Sequence, residues 1–193
     1  MLSTVASLAA DLGVSAESEA ARLERLLTQA SAAIERATNR QFARTRRVDR
    51  VLGEGARTLV LPRTPIVAVH SILCDGTPIL DWRLADPGLG FVERRAGWGW
   101  RTGGVWWGEG PSAAATFEVD CTAGYALPGT ASRDLPDDIE RACLDLAKAW
   151  WWAQSRDPAA SAEAFGGNGI GYALQPGMPA GVAELLRPWI RRV

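Results

Sequence analysis

The chain of 193 residues has one histidine, one lysine, three cysteines and two tyrosines, and each scarcity closes off a class of chemistry. A Ser/His/Asp triad would need His70 beside a nucleophile that nothing in the sequence identifies, so His70 reads as structural. Cys74, Cys121 and Cys143 are far apart and form no CxxC pair. Neither a disulfide framework nor a zinc knuckle is indicated, a soft-metal site is poorly supplied, and no cofactor or enzyme is expected. No stretch approaches the roughly 18 apolar residues of a membrane span, and the N-terminus lacks the basic region and apolar core of a signal peptide. A net charge of -1 argues against a general nucleic-acid coat. The expectation is a soluble protein in a reducing cytoplasm, with no membrane partner.

The hydrophobic fraction of 47% and the charged fraction of 22% are those of an ordinary globular protein. A chain of this length buries roughly 70% of its unfolded surface and needs no staple. Basic charge is almost wholly arginine and alanine is abundant, which reads as codon bias from a GC-rich genome. Nine tryptophans against two tyrosines is the odder balance.

Val5, Leu8 and Leu12 share a helical face closed by Gly13, which predicts a short first helix. Ser15 is placed to cap a second, whose stripe runs Leu23, Leu26, Leu27, Ala30, Ala33, Ile34 and Ala37. Beyond Asn39 come short Val-, Ile-, Leu- and Thr-rich segments: Arg46 to Leu52, Arg57 to Leu61, Ile66 to Leu73, Pro78 to Leu84, Gly90 to Glu93 and Ala115 to Thr122. Asp75-Gly76 is a hairpin signal. Pro136 suits a first helical position, and Asp137 and Asp138 meet the positive helix end rather than forming an acid/base pair. Ile139, Cys143, Leu146, Trp150 and Ala153 then form an inner stripe. Ser155 to Gln175 reads as a flexible stretch around Gly166-Gly167-Asn168-Gly169, and Met178 to Ile190 as a short helix or arm.

These segments imply an α+β fold in one domain. A helical core, about 1–40 and 134–157, receives an inserted small antiparallel β-sheet or barrel, about 41–130, and a loop with a C-terminal arm follows, about 158–193.

Three features could carry function. Arg40, Arg44, Arg46 and Arg47 fall in an arginine-rich run opposed there only by Asp49, which is how a DNA-contact patch would be built, although a solvated helix end and edge strand also produce such a run. Trp98, Trp100, Trp106 and Trp107 lie in a glycine-rich loop. An aromatic loop can stack on sugars or bases, so a carbohydrate- or nucleic-acid-binding module using residues 98–107 is a rival reading. Trp152 falls on the polar side of its helix with Arg141, Asp145 and Lys148, which marks a subunit or partner interface shared with Trp106 and Trp107.

Four stretches in fixed order bear a resemblance: the alanine-rich helix end Gln29 to Arg40, the step Leu61, Pro65, Ile66 into the sheet, Ala123-Gly124-Tyr125 at a strand end, and Leu135-Pro136 opening a helix. With Leu185-Leu186-Arg187-Pro188-Trp189 near the end, the chain resembles the head-tail connector (adaptor) family of long-tailed bacteriophages and phage-derived gene transfer particles. The resemblance implies a structural subunit made in the bacterial cytoplasm and carried in a particle neck. It implies a homo-oligomeric ring, commonly dodecameric, beneath the portal protein. The ring would extend the channel for double-stranded DNA without reading sequence and would offer its far face to a stopper or tail-completion protein. Leu185, Leu186, Arg187, Trp189, Ile190, Arg191 and Arg192 are then the expected portal anchors, and truncation after Gly177 is expected to abolish attachment while leaving the monomer folded.

Overall fold

The computed structural model describes residues 1–99, 115–154, 162–165, 168–171 and 178–191. The chain divides into two compact units, Met1–Phe42 with Ala126–Val193, and Ala43–Tyr125.

The first unit opens with α1 (Val5–Leu12), where the Ser7 N–H donates to Thr4 Oγ1 at 3.1 Å and Gly13 closes the helix in the left-handed region at φ 68. Ser15 does not cap α2 (Ala20–Thr38). Residues 16–19 form a turn in which the Glu19 N–H donates to the Ser15 carbonyl at 3.3 Å, and the helix starts afterwards. Leu23, Leu26, Leu27, Ala30 and Ile34 are buried along one face of α2, each leucine being worth about 1.5–3 kcal/mol relative to exposure.

Helix α3 (Asp137–Ala153) follows an extended Pro136 (φ -57, ψ 136), one position earlier than the predicted first-turn proline. Ile139, Ala142, Cys143, Leu146 and Ala147 are buried, Trp150 is half-buried and Ala153 is exposed, so the inner face fades in the last turn. Helix α4 (Ala180–Leu186) and the 3-10 turn Arg187–Trp189 pack back through Val182 and Leu186, both buried.

The second unit contains β1 (Thr45–Leu52), β2 (Thr58–Val60), β3 (Ile66–Cys74), β4 (Thr77–Pro78), β5 (Trp82–Asp86), β6 (Phe91–Arg94) and β7 (Thr116–Ala123). Two open antiparallel sheets form, ordered β1-β7-β3-β4 and β2-β6-β5. The predicted barrel alternative is therefore corrected: neither sheet closes on itself. The predicted strand Pro78 to Leu84 is also split, because residues 79–81 leave the first sheet before β5 joins the second.

Strand β7 has β1 on one side and β3 on the other, and its side chains alternate strictly. Phe117, Val119, Cys121 and Ala123 turn inward and Thr116, Glu118, Asp120 and Thr122 are half-buried, as a period of two requires when one face is covered. The inward set shares a core with Leu59, Leu61, Ile66, Ile72, Val92 and Trp98, so side chains from both sheets fill one interior.

A further antiparallel pair, β8 (Ala162–Phe165) with β9 (Asn168–Gly171), lies where a flexible stretch was expected. Its register pairs Ala162 with Gly171 and Phe165 with Asn168.

Candidate functional site

The arginine run is partly neutralised by its own sheet. Arg46 meets Asp120 across the β1–β7 ladder, with Nε to Oδ1 at 3.0 Å and Nη2 to Oδ2 at 2.6 Å. The carboxyl of Asp120 is held below the usual range, first by that hydrogen bond from Arg46. Arg50 Nη2 lies 3.0 Å from Glu118 Oε1, and Arg47 Nε lies 3.4 Å from Asp49 Oδ1. Arg44 donates through Nε to the Gly124 carbonyl at 3.4 Å. Arg40, in the other unit, donates through Nε to the Trp189 carbonyl at 2.8 Å. The opposing acids come from β7, some seventy positions away in sequence, so a window that saw only Asp49 overstated the positive charge.

Arg63 was not foreseen. Its side chain is 9% exposed and that of Asp49 is 5% exposed, and Nε donates to Asp49 Oδ2 at 2.8 Å. The remaining nitrogens reach the carbonyls of Thr45 (3.1 Å), Arg47 (3.0 Å) and Cys121 (3.3 Å), so one guanidinium ties the β2–β3 connection to β1 and β7. The Cys121 thiol donates to Asp49 Oδ2 at 3.7 Å. Burial pushes that thiol up to about 11, which leaves it inert at neutral pH. The available signal was an arginine between Pro62 and Pro65 immediately before an apolar strand, together with Asp49 on an inward position of β1.

The tryptophan loop divides. Trp98 is fully buried, its Nε1–H donates to the Val92 carbonyl at 3.0 Å, and its ring meets Phe117 edge-on at 5.1 Å. It is a core residue, which corrects the reading that placed it in a ligand platform. Trp100, Trp106 and Trp107 lie outside the described residues. Trp152 is 52% exposed, beside the linked groups Arg141–Asp145 (2.9 Å) and Lys148–Asp145 (2.8 Å) on its helix. Trp151 is covered by Arg22, whose guanidinium stands 3.9 Å from the ring centroid.

The C-terminal segment is partly committed to its own unit. Leu186 is 1% exposed, Leu185 and Arg191 are half-buried, Arg187 is exposed and Ile190 is 48% exposed. Trp189 is half-buried against Phe42 at 6.4 Å, and the Arg191 N–H donates to the Thr38 carbonyl at 3.0 Å. Arg192 lies outside the described residues. Truncation after Gly177 would thus remove two buried side chains, Val182 and Leu186, and would not leave the monomer as it was.

His70 Nε2 lies 2.8 Å from Thr122 Oγ1. Among the described residues no group of three His, Cys, Asp or Glu side chains is placed to hold a metal ion, and no helix is long and apolar enough to cross a membrane. Each of the two compact units buries apolar side chains of its own, and Leu80, Trp152 and Ile190 are large apolar side chains left about half exposed or more.

The comparisons with known proteins give the class. The family model for head completion protein matches residues 2–193, and the chain belongs to this family, a structural family of phage-type particles within the head-tail connector group. Among solved structures, the chain is similar to one in the neck of an empty gene transfer agent (GTA) particle with C6 symmetry. Identity there is 24%, the match covers 98% of this chain and 90% of that one, and the TM-score is 0.58. It is also similar to a chain in the neck of a native GTA particle with C12 symmetry, at 25% identity over 90% of this chain and 84% of that one, with a TM-score of 0.53. No curated protein matches.

Proposed function

We propose that this chain is a ring-forming subunit of the neck of a phage or phage-like particle. It binds beneath the portal protein, extends the DNA channel and supports attachment of a stopper or tail-completion protein. The observation that carries this reading is the match to the head completion family along residues 2–193, joined to the similarity with a chain of a C12-symmetric GTA neck. Twelve copies is the corresponding ring number.

The physical features fit such a role. A channel through which DNA passes must not grip it, and arginines already paired with Asp120 and Glu118 offer phosphates a weakened attraction. In the arm, Leu186 anchors the segment to its own unit, so Leu185, Arg187, Ile190, Arg191 and Arg192 are the side chains proposed to meet the portal, with Trp189 positioning them. Trp152 is proposed as a partner contact, together with Trp106 and Trp107. The rival binding-module reading loses ground because Trp98, the first member of its platform, is packed inside the protein.

The test is a tagged copy isolated from particle-producing cells, with mass spectrometry of the co-purifying proteins and negative-stain imaging of the eluate. Portal protein and neck-bearing particles are expected. Recovery of glycan or nucleic acid with no particle protein, from cells in which particles form, would refute the proposal.

A further inference from the structure

The sheet β2-β6-β5 carries an open cleft of about 450 Å³ between Arg57, Trp82 and the end of β6. Its walls hold four arginines, Arg57, Arg83, Arg94 and Arg95, and two carboxylates, Asp81 and Glu93. Both carboxylates are already paired: Arg83 Nη2 is 2.5 Å from Glu93 Oε2 and Arg94 Nε is 2.7 Å from Asp81 Oδ1. Arg57 and Arg95 are exposed and make no ion pair among the described residues. Four positive charges less two negative leaves a surplus of two, beside a half-buried Trp82 and next to Leu80, which is 87% exposed.

Arginine and tryptophan together have the composition of a protein–protein hot spot. The same site suits DNA poorly, because two carboxylates in its wall oppose a polyanion and two surplus charges release few counterions. The fitting occupant is a protein surface with an excess of carboxylates. This chain has one at the opening of α3, where Asp134, Asp137, Asp138 and Glu140 fall within seven positions and Arg133 pairs with Asp137 and Glu140. Asp137 is 89% exposed at its side chain although paired with Arg133, and Asp138 is exposed with no ion pair among the described residues.

We infer that the Arg57–Trp82–Arg95 cleft of one copy receives the acidic opening of α3 from a second copy. Two different patches on the same chain make a head-to-tail contact, the kind that builds a ring when its rotation closes. The inference rests on the ring reading above and names the contact that would hold the ring.

The experiment is a charge swap in particle-producing cells, scored as copies of the chain per purified particle by quantitative mass spectrometry. The variants are Arg57→Glu/Arg95→Glu, Asp137→Arg/Asp138→Arg and the combination of all four, with circular dichroism confirming that each is folded. Each double variant is expected to lower the copy number about tenfold or more, and the combination to restore most of it, as complementary charges do when both are reversed. Wild-type protein in many copies with either double variant unaffected, or with no recovery in the combination, would overturn the cleft assignment alone. Wild-type protein absent from particles, or present as a single copy, would overturn the ring reading and the inference with it.

Discussion

Replacing Arg63 by methionine keeps most of the aliphatic volume and removes the charge, which isolates the contribution of the guanidinium to the β unit. Asp49, 5% exposed, would lose its shortest contact, the 2.8 Å donor at Oδ2. Its remaining donors would be Arg47 Nε at 3.4 Å and the Cys121 thiol at 3.7 Å, both long. Breaking a buried pair from one side costs about 3–5 kcal/mol, because an uncompensated charge stays behind. For a chain of this size each kcal/mol moves the melting temperature by about 2–4 °C, so Arg63→Met should melt about 6–20 °C below the parent. Urea unfolding followed by tryptophan fluorescence gives the free energy directly. Asp49→Asn/Arg63→Met should recover at least 1 kcal/mol relative to Arg63→Met by removing the stranded charge, roughly the size of coupling seen between residues in contact. Arg63→Lys should fall between parent and Met, since an ammonium cannot reproduce the fork that reaches three carbonyls. A loss below about 1 kcal/mol for Arg63→Met, or a double variant as unstable as the sum of its singles, would refute the reasoning.

Four other outcomes are expected. A Cβ at Gly53 would stand 2.6 Å from Phe117 Cε2 and 2.8 Å from the Trp98 carbonyl, so Gly53→Ala should cost about 1–3 kcal/mol in the same urea assay. Trp98→Ala should cost about 3–5 kcal/mol, whereas a ligand-platform residue would be replaced with little loss of stability. Burial pushes the Cys121 and Cys143 thiols up to about 11, above their unfolded values, so the stabilisation from keeping them neutral is complete below pH 9 and lost as pH rises toward 11. The urea midpoint should therefore fall between pH 9 and 11, less steeply in Cys121→Ala/Cys143→Ala. In the arm, Ile190→Asp and Arg187→Glu should abolish portal co-purification with an unchanged melting temperature, while Leu186→Ala should lower stability by about 2–5 kcal/mol.

The elements that could be read in the sequence are those whose physics is local. The stripe on α2 repeats at helical spacing, the inward residues of β7 alternate, and Asp75-Gly76 adopts two positive φ angles (49 and 78) as a tight hairpin turn requires. What escaped depended on distant partners. The arginines of β1 looked like a basic patch because Glu118 and Asp120 reach them only through strand pairing. Trp98 looked like the first residue of a binding loop because nothing local shows that Phe117 and the Val92 carbonyl enclose it. The choice between an open sheet and a barrel depends on which edge strands meet, and no strand records that in its own sequence. For the arm, the apolar residues Leu185, Leu186, Trp189 and Ile190 were visible, but not that Leu186 faces inward while Ile190 is about half exposed.

Direct imaging of the neck tests the central claim most plainly. Particles assembled with a tagged copy of this chain, reconstructed by electron cryo-microscopy around the head–tail vertex, should show a closed ring of this fold against the portal, with the tag repeated once per subunit. A neck without such density, or the chain found elsewhere in the particle, would contradict the account.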